Sequence, residues 1–170
     1  GGRWNIVADK WASRVEDGYY AFNDWHAMMA FAGAGRVTEQ YALLAAAERA
    51  AEGAGTNAMM TREVGLPAMR GFQAFAQGDW RGAVTWLMPL PAKANRFGGS
   101  HAQRDLFSWT LTEAALRAKD RALADALVAE WLALKPESPR NRAWAAGAKR
   151  IRERAAADLP SRSGTEIWTG

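Results

Sequence analysis

The sequence contains no cysteine among its 170 residues. This absence excludes disulfide bonds, thiolate metal sites and cysteine nucleophiles. It is compatible with a cytosolic origin, and we expect a cytoplasmic protein. Histidine is scarce as well, with two residues, and so few histidines give a weak signal for a zinc site. We therefore expect neither a bound metal nor a cofactor.

Long apolar runs are also missing. The most apolar stretch spans residues 25–34 and is interrupted by His26 and Gly33. It is shorter than the ~20 apolar residues that a membrane-spanning helix requires, so we expect no membrane segment. The N-terminus lacks the apolar core of a signal peptide. The chain begins at Gly1 without a methionine, and we expect it to be part of a longer protein or to carry an expression scar.

The net charge of +4 is concentrated near the C-terminus. Residues 117–156 carry ten Lys and Arg against five Asp and Glu, whereas the rest of the chain is close to neutral. Ten basic residues over about forty positions are more typical of solvated helix faces than of a nucleic-acid surface. We therefore do not expect nucleic acid as a partner.

Three segments share a common pattern, in which a short polar break separates two helical apolar patterns. The breaks fall at Gly35, Gly78 and Lys119, with spacings of 43 and 41 residues. A tetratricopeptide repeat has a period of ~34 residues, so the surplus is expected in connectors between helix pairs. Glycine suits the left-handed turn that ends a helix, and Lys119 is the less typical residue of the three.

Alanine is abundant and β-branched residues are few, which also favours helix. Together these features predict an all-α fold, a right-handed solenoid of antiparallel helix pairs of the tetratricopeptide type. We expect a single helical-repeat domain over residues 3–156 and a flexible C-terminal tail over residues 157–170.

Capping residues set the predicted helix boundaries. Ser100 with Gln103 forms a capping box, and Asp79 and Asp120 are further N-caps. Pro67 favours a later start, at Leu66, for the fourth helix. The predicted helices are residues 4–16, 23 or 24 to 33, 37–52, 61–77, 79–88, 100–118, 120–134 and 138–156.

Three blocks of sequence are spread along most of the chain. They are Asp17–Arg36 (DGYYAFNDWHAMMAFAGAGR), Gly98–Asp105 (GGSHAQRD) and Leu132–Asn141 (LALKPESPRN). In residues, order and spacing they resemble the C-terminal part of the tetratricopeptide repeat protein 38 family. The resemblance implies an α-helical repeat fold, and it implies no established reaction, cofactor or catalytic residue.

Polar residues cluster near the starts of the helices expected to line the concave face, which is the common binding surface of a solenoid. Arg62 and Arg70 are eight residues apart and share a helix face, and Arg104 would join them in a clamp for a carboxylate. Asn57 and Gln103 complete the predicted ligand-binding set. The function predicted first is therefore a binding or scaffold module holding a protein or peptide in a groove, the peptide being anionic or having a free C-terminus. The alternative is that these arginines pair with acidic residues or helix ends inside the fold.

A second hypothesis is a small metal-dependent or acid–base enzyme. Each of the two histidines stands near an aspartate at a helix start: Asp24 with His26, and His101 with Asp105. A histidine oriented by a carboxylate can serve as a general base or a metal ligand. Such a histidine more often only bonds to backbone or to its neighbour, so we do not expect an enzyme first.

Tryptophan is frequent, with nine residues. The helical spacing of Trp80, Trp86, Trp109 and Trp131 predicts that they pack between helices. A third hypothesis is that apolar, tryptophan-rich edges of the solenoid mediate self-association.

Overall fold

The structure, a computed structural model, describes residues 2–157. Within that range all the regular secondary structure is helical and there is no strand, which confirms the prediction of an all-α protein. The α-helices are α1 (Gly2–Ala12), α2 (Ala21–Ala34), α3 (Val37–Glu52), α4 (Thr56–Met60), α5 (Leu66–Ala76), α6 (Trp80–Leu87), α7 (His101–Arg117), α8 (Arg121–Leu134) and α9 (Pro139–Ala157). A π-helical turn (Thr61–Gly65) joins α4 to α5, and a short 3₁₀ helix (Ala94–Phe97) precedes α7. None of the helices in the described range is long and apolar enough to cross a membrane.

The chain divides into two compact units. The N-terminal unit is Gly1–Ala118, and the C-terminal unit is Lys119–Gly170. The single repeat domain expected over residues 3–156 stays a prediction. The tail expected over residues 157–170 lies, apart from the last residue of α9, outside the described residues.

Helix starts that carry their own capping side chain lie where the sequence predicts them. Asp79 accepts a hydrogen bond from the backbone of Gly82 at 2.8 Å, and Asp120 accepts one from Leu123 at 3.1 Å. Ser100 and Gln103 form the reciprocal capping box at the start of α7. These contacts satisfy N–H groups that have no partner within the helix.

The predicted start of α2 at Asn23 or Asp24 is wrong, because the cap comes from elsewhere in the chain. The helix begins at Ala21, whose backbone N–H donates to Asn57 Oδ1 at 3.1 Å. Asn57 belongs to α4, 36 residues further along the sequence. A cap that is supplied across space leaves no local sequence signal.

The fourth helix begins earlier than its predicted start at Thr61 or Leu66. The chain is already helical from Thr56, and a π-helical turn then leads into α5. In this turn the Leu66 N–H reaches back five residues to the Thr61 carbonyl. Pro67 has no N–H to donate. Because the π-helical turn comes just before it, the chain stays helical through Pro67. At the N-terminal end of the chain, α1 stops at Ala12 and not at residue 16 as predicted.

Aromatic side chains join α2, α5 and α7 in the core of the N-terminal unit. Trp25 is fully buried, with ring centroids 4.6 Å from Phe107 and 5.5 Å from Phe72. The backbones of α5 and α6 approach closely at Gly71, because a Cβ atom there would lie 2.6 Å from the buried Leu87 side chain. Close packing of this kind fixes the relative positions of the helices that line the groove described below.

The breaks between the predicted repeats are tight turns. Gly35 and Gly78 adopt left-handed φ angles of 70° and 80°, as expected for helix-ending glycines. Lys119 adopts the same conformation with φ of 56°. A side chain in this region costs about 1 kcal/mol, so the turn at Lys119 is under mild strain.

The C-terminal unit contains α8 and α9 packed against each other. Trp131 and Trp144 meet at a centroid distance of 6.1 Å, and Arg152 forms an ion pair with Asp125. The buried Asn141 side chain donates to the carbonyls of Trp131 at 2.8 Å and of Lys135 at 3.0 Å. Asn141 thereby satisfies the C-terminal end of α8 from the first turn of α9.

Candidate functional site

A cavity of about 530 Å³ lies between α3, α5 and α6 in the N-terminal unit. We call it the α3–α5–α6 groove. The side chains that define it are Tyr41, Leu44, Glu48, Arg70, Gln73 and Trp86. The groove therefore combines apolar and aromatic surface with hydrogen-bonding groups of both kinds.

Arg70 occupies one wall of the groove and is held from two sides. Its Nη2 donates to Glu48 Oε1 at 2.7 Å, and its guanidinium carbon lies 4.9 Å from the centre of the Trp86 ring. Both contacts fix the plane of the guanidinium, which carries five N–H donors. Arg70 is thus oriented in the groove while it keeps donors for a ligand.

Gln73 lies one turn after Arg70, and its side chain is buried against the wall of the groove. Only 8% of the residue is exposed, and its Nε2 has no hydrogen-bond partner within the part of the chain that the structure describes. An unpaired buried amide costs about 1–3 kcal/mol. Exchanging the amide nitrogen and oxygen would leave a buried oxygen at the same position. The fold therefore leaves an amide group buried and unpaired at the wall of the groove.

Two aromatic side chains present surface in the groove. Tyr41 is 57% exposed and Trp86 is 37% exposed. Trp86 packs against Gly71 and Arg70 of α5, as predicted, but it is not fully buried. Aromatic surface of this kind contributes strongly to recognition of apolar side chains.

The three arginines of the predicted clamp lie in different environments. Arg62 donates to the carbonyls of Ala51 and Gly53 and so closes the C-terminal end of α3. Arg104 donates to the Gly99 carbonyl at 3.0 Å and to His101 Nδ1 at 3.2 Å. The α3–α5–α6 groove is lined by Arg70 and not by the other two.

The other predicted ligand-binding residues make hydrogen bonds within the fold. The Asn57 side chain caps α2 through Ala21. Gln103 Oε1 accepts from the Ser100 backbone at 2.8 Å in the capping box. Sequence reasoning assigned these polar groups to a ligand, whereas the structure places them at helix ends.

The two histidines lie in separate surroundings. His26 Nδ1 donates to the Phe22 carbonyl at 2.8 Å, and since a carbonyl only accepts, this nitrogen carries the proton. His101 Nδ1 accepts from Arg104 and is therefore unprotonated. A cavity of about 250 Å³ is lined by His101, Arg104 and Asp105, and neither His26 nor Asp24 reaches it.

Asp24 is the most perturbed titratable group that the structure describes. It is 6% exposed, and burial together with the nearby Asp17 carboxylate raises its pKa from 3.8 to about 6. Its Oδ2 has no hydrogen-bond partner among residues 2–157. Neither histidine lines the small cavity beside it.

The four residues of the enzyme hypothesis do not assemble into a metal-binding cluster. Within residues 2–157, no group of three or more His, Asp or Glu side chains is placed to hold one ion. The perturbed carboxyl at Asp24 and the cavity at His101 are therefore separate features.

No protein-family model matches the chain, and no solved structure matches it significantly. The interpretation of the site therefore depends on its own chemistry.

Sequence analysis identified Arg70 but missed Tyr41, Gln73 and Trp86. Gln73 carried a usable signal, because it falls four residues after the buried Met69 and so on the buried face of α5. A polar residue on the buried face of a helix requires a hydrogen-bond partner, and here the described residues do not provide one for Gln73 Nε2. Tyr41 and Trp86 carried none, because exposure of an aromatic side chain depends on how neighbouring helices end.

Proposed function

We propose that the chain is a binding module of the tetratricopeptide type that holds an extended peptide in the α3–α5–α6 groove. The order of helix packing in the N-terminal unit supports a repeat architecture. There α2 packs on α3 and α5, α5 packs on α6, and α7 packs on both α5 and α6. Each helix pair thus contacts the next one, as in solenoid proteins.

The resemblance to the tetratricopeptide repeat protein 38 family supports the same proposal. The first block, Asp17–Arg36, covers α2 and the turn that follows it. The second, Gly98–Asp105, covers the glycine pair and capping box before α7. The third, Leu132–Asn141, covers the turn between α8 and α9. We propose membership of this family on these blocks.

The observation that carries the proposed binding site is the unpaired Gln73 amide in the groove. A peptide backbone presents carbonyl and N–H groups at regular spacing, so its carbonyl suits the Gln73 Nε2 donor. Arg70, oriented by Glu48 and Trp86, supplies a further donor for a carbonyl or a terminal carboxylate. Trp86 and Tyr41 provide surface for an apolar side chain of the same peptide.

The proposal predicts that peptides selected on the protein bind in this groove. A library of random peptides is displayed and selected, and the affinities of the enriched peptides are measured by titration calorimetry. Gln73→Met keeps the volume and removes the amide, so we expect about tenfold weaker binding from the loss of one buried hydrogen bond. Trp86→Ala is expected to weaken binding at least as much.

The matched control for Arg70→Gln is Arg81→Gln, which removes an exposed arginine of α6 that does not line the groove. We expect several-fold weaker binding for Arg70→Gln and unchanged affinity for Arg81→Gln. Equal affinities in the Gln73, Trp86 and Arg70 variants, or a selection that enriches no peptide, would overturn the proposed function.

A further inference from the structure

The small cavity beside Asp24 has a volume of about 60 Å³ and lies where α1 is followed by the start of α2. We call it the Asp24 cavity. The residues that concern its chemistry are Trp11, Arg14, Asp17, Tyr19, Tyr20 and Asp24. It shares none of these residues with the α3–α5–α6 groove, so an inference about it does not depend on the proposed function.

The acidic side of the cavity is deep. Asp24 is 94% removed from solvent, at 6% exposure, and its Oδ2 has no donor in the described part of the chain. Asp17, whose negative charge acts on Asp24, lies at the exposed edge. Two carboxyl groups and an unpaired buried oxygen make the cavity favourable for a cation that can donate a hydrogen bond.

The other side of the cavity is aromatic. Trp11 and Tyr20 are partly buried, and Tyr19 is 83% exposed at the rim. The faces of such rings carry negative potential and attract organic cations at short range. Alkyl groups next to the charge pack against the same rings. A bare metal ion lacks that apolar contact and would find only two carboxylates here.

We propose that the Asp24 cavity binds a protonated alkylammonium group. Its N–H donates to the Asp24 carboxylate, and its first methylene groups pack on Trp11 and Tyr20. The cavity volume has room for several water-sized groups, which suits an ammonium head with the adjoining carbon atoms. The rest of the ligand extends past Tyr19 into solvent.

The test uses n-butylammonium chloride, titrated into the full chain at pH 7.5 and followed by calorimetry at constant ionic strength. n-Butanol has similar shape without the charge, and tetramethylammonium has the charge without an N–H. We expect saturable binding of n-butylammonium that is at least about tenfold tighter than that of either analogue. Equal weak binding of all three would overturn the proposal.

Asp24→Asn removes the charge and keeps the shape, and we expect it to weaken n-butylammonium binding at least about tenfold. Asp105→Asn is the matched control, because it removes a carboxylate that lines a different cavity. Circular dichroism checks that both variants keep the helical content of the parent. Unchanged affinity in Asp24→Asn, or an equal loss in Asp105→Asn, would contradict the proposal.

A pH series separates this site from general attraction to an acidic surface. The titratable groups that line the cavity with Asp24 are Asp17, Arg14, Tyr19 and Tyr20. Burial, with the Asp17 charge, raises the pKa of Asp24 to about 6. Asp24 is then about tenfold less ionised at pH 5 than at pH 7.5. We expect the affinity to fall about tenfold between these values in the parent and to stay constant in Asp24→Asn.

The competing explanation is that Arg14 is itself the cation that pairs with Asp24, because it lines the same cavity. If Arg14 neutralises Asp24 in solution, n-butylammonium would bind only after Arg14→Gln. That result would overturn the proposal, whereas binding in the parent that strengthens a few-fold in Arg14→Gln supports it.

The ammonium group can belong to a free amine or to a lysine side chain of another protein. Nα-acetyl-lysine methylamide distinguishes these sources, because it presents the same butylammonium on a peptide unit. Affinity equal to that of n-butylammonium assigns the site to a lysine side chain. Binding of n-butylammonium alone assigns it to small amines, and binding of neither overturns the proposal.

Discussion

At the residue scale, Asp24 determines part of how stability depends on pH. Burial raises its pKa in the folded protein to about 6, against an ordinary value of 3.8. The folded state therefore holds the proton more tightly than the unfolded state. Below pH ~3 both states are protonated, so the group has no effect. As pH rises from about 4 to about 6, stability is lost, and above that range the loss is about 3 kcal/mol.

Asp24→Asn is accordingly expected to be more stable than the parent at pH 7.5 by about 2–3 kcal/mol, and about equal to it at pH 4. Urea unfolding at the two pH values, followed by circular dichroism, measures the difference. Asp105→Asn serves as the control for removing a carboxylate elsewhere in the fold. A parent-to-variant difference that is the same at both pH values would exclude this role of Asp24.

Prediction from sequence works unevenly for single residues. Arg70 was singled out from its eight-residue spacing to Arg62, but only Arg70 lines the groove, whereas Arg62 bonds to the end of α3. The unpaired state of Gln73 and of Asp24 Oδ2 was not, since it depends on which donors and acceptors other helices bring near. Asn57 shows the same limit, because the helix end that it caps is 36 residues away in sequence.

At the scale of elements, two glycines test how tightly the helices pack. A Cβ atom at Gly71 would lie 2.6 Å from the Leu87 side chain, which is fully buried and has no room to move. At Gly33 it would lie 2.5 Å from the ring of Trp4, which is 47% exposed. The distances at the two positions are almost equal. The positions differ in the side chain that would have to move, which is buried at Gly71 and partly exposed at Gly33.

We expect Gly71→Ala to lower the free energy of unfolding by about 1–3 kcal/mol, the usual cost of overpacking a core. Gly33→Ala should change it by less than about 1 kcal/mol, because the better helix propensity of alanine offsets the displacement of Trp4. Urea unfolding of both variants provides the comparison. An equal loss at the two positions would mean that Leu87 is as mobile as Trp4.

Helix boundaries were predictable where the cap is local. The starts of α6, α7 and α8 follow from Asp79, Ser100 and Asp120, each of which bonds to a backbone N–H three residues later. The π-helical turn was not predictable. Pro67 is a strong reason to end or begin a helix there, and only the wider turn upstream allows the chain to remain helical.

At the scale of the whole molecule, the N-terminal unit contains its own core. Trp25, Phe31, Phe107 and Leu111 are all buried within residues 2–118. We expect a fragment of residues 1–118 to fold cooperatively, with near-ultraviolet circular dichroism of fixed aromatic side chains. Residues 119–157 alone should remain largely unfolded, because the one helix pair that the structure describes there buries too little apolar surface.

The control for this fragment is residues 1–99, which lacks α7 and with it Phe107 and Leu111. Without those side chains, Trp25 loses a ring contact at 4.6 Å, and cooperative unfolding should disappear. Failure of residues 1–118 to fold, under conditions in which the full chain does, would contradict the independence of the unit.

The helical character of the whole chain was predictable, because alanine content and apolar periodicity act at every position. The boundary at Ala118 was not, since the turn at Lys119 has the same sequence pattern as the turns inside the N-terminal unit. Periodic patterns indicate which residues form helices. They do not indicate which helices share a core.

The π-helical turn at Thr61–Gly65 makes the orientation of α5 depend on the number of residues in the turn. Each residue of an α-helix advances its face by about 100°, so losing one residue from the turn would rotate α5 by that angle relative to α4. Asn57 would still cap α2, but Gln73 and Arg70 would turn out of the groove. A deletion that made the helix more regular would therefore damage this protein. Natural variation and redesign should accordingly retain the turn's five residues.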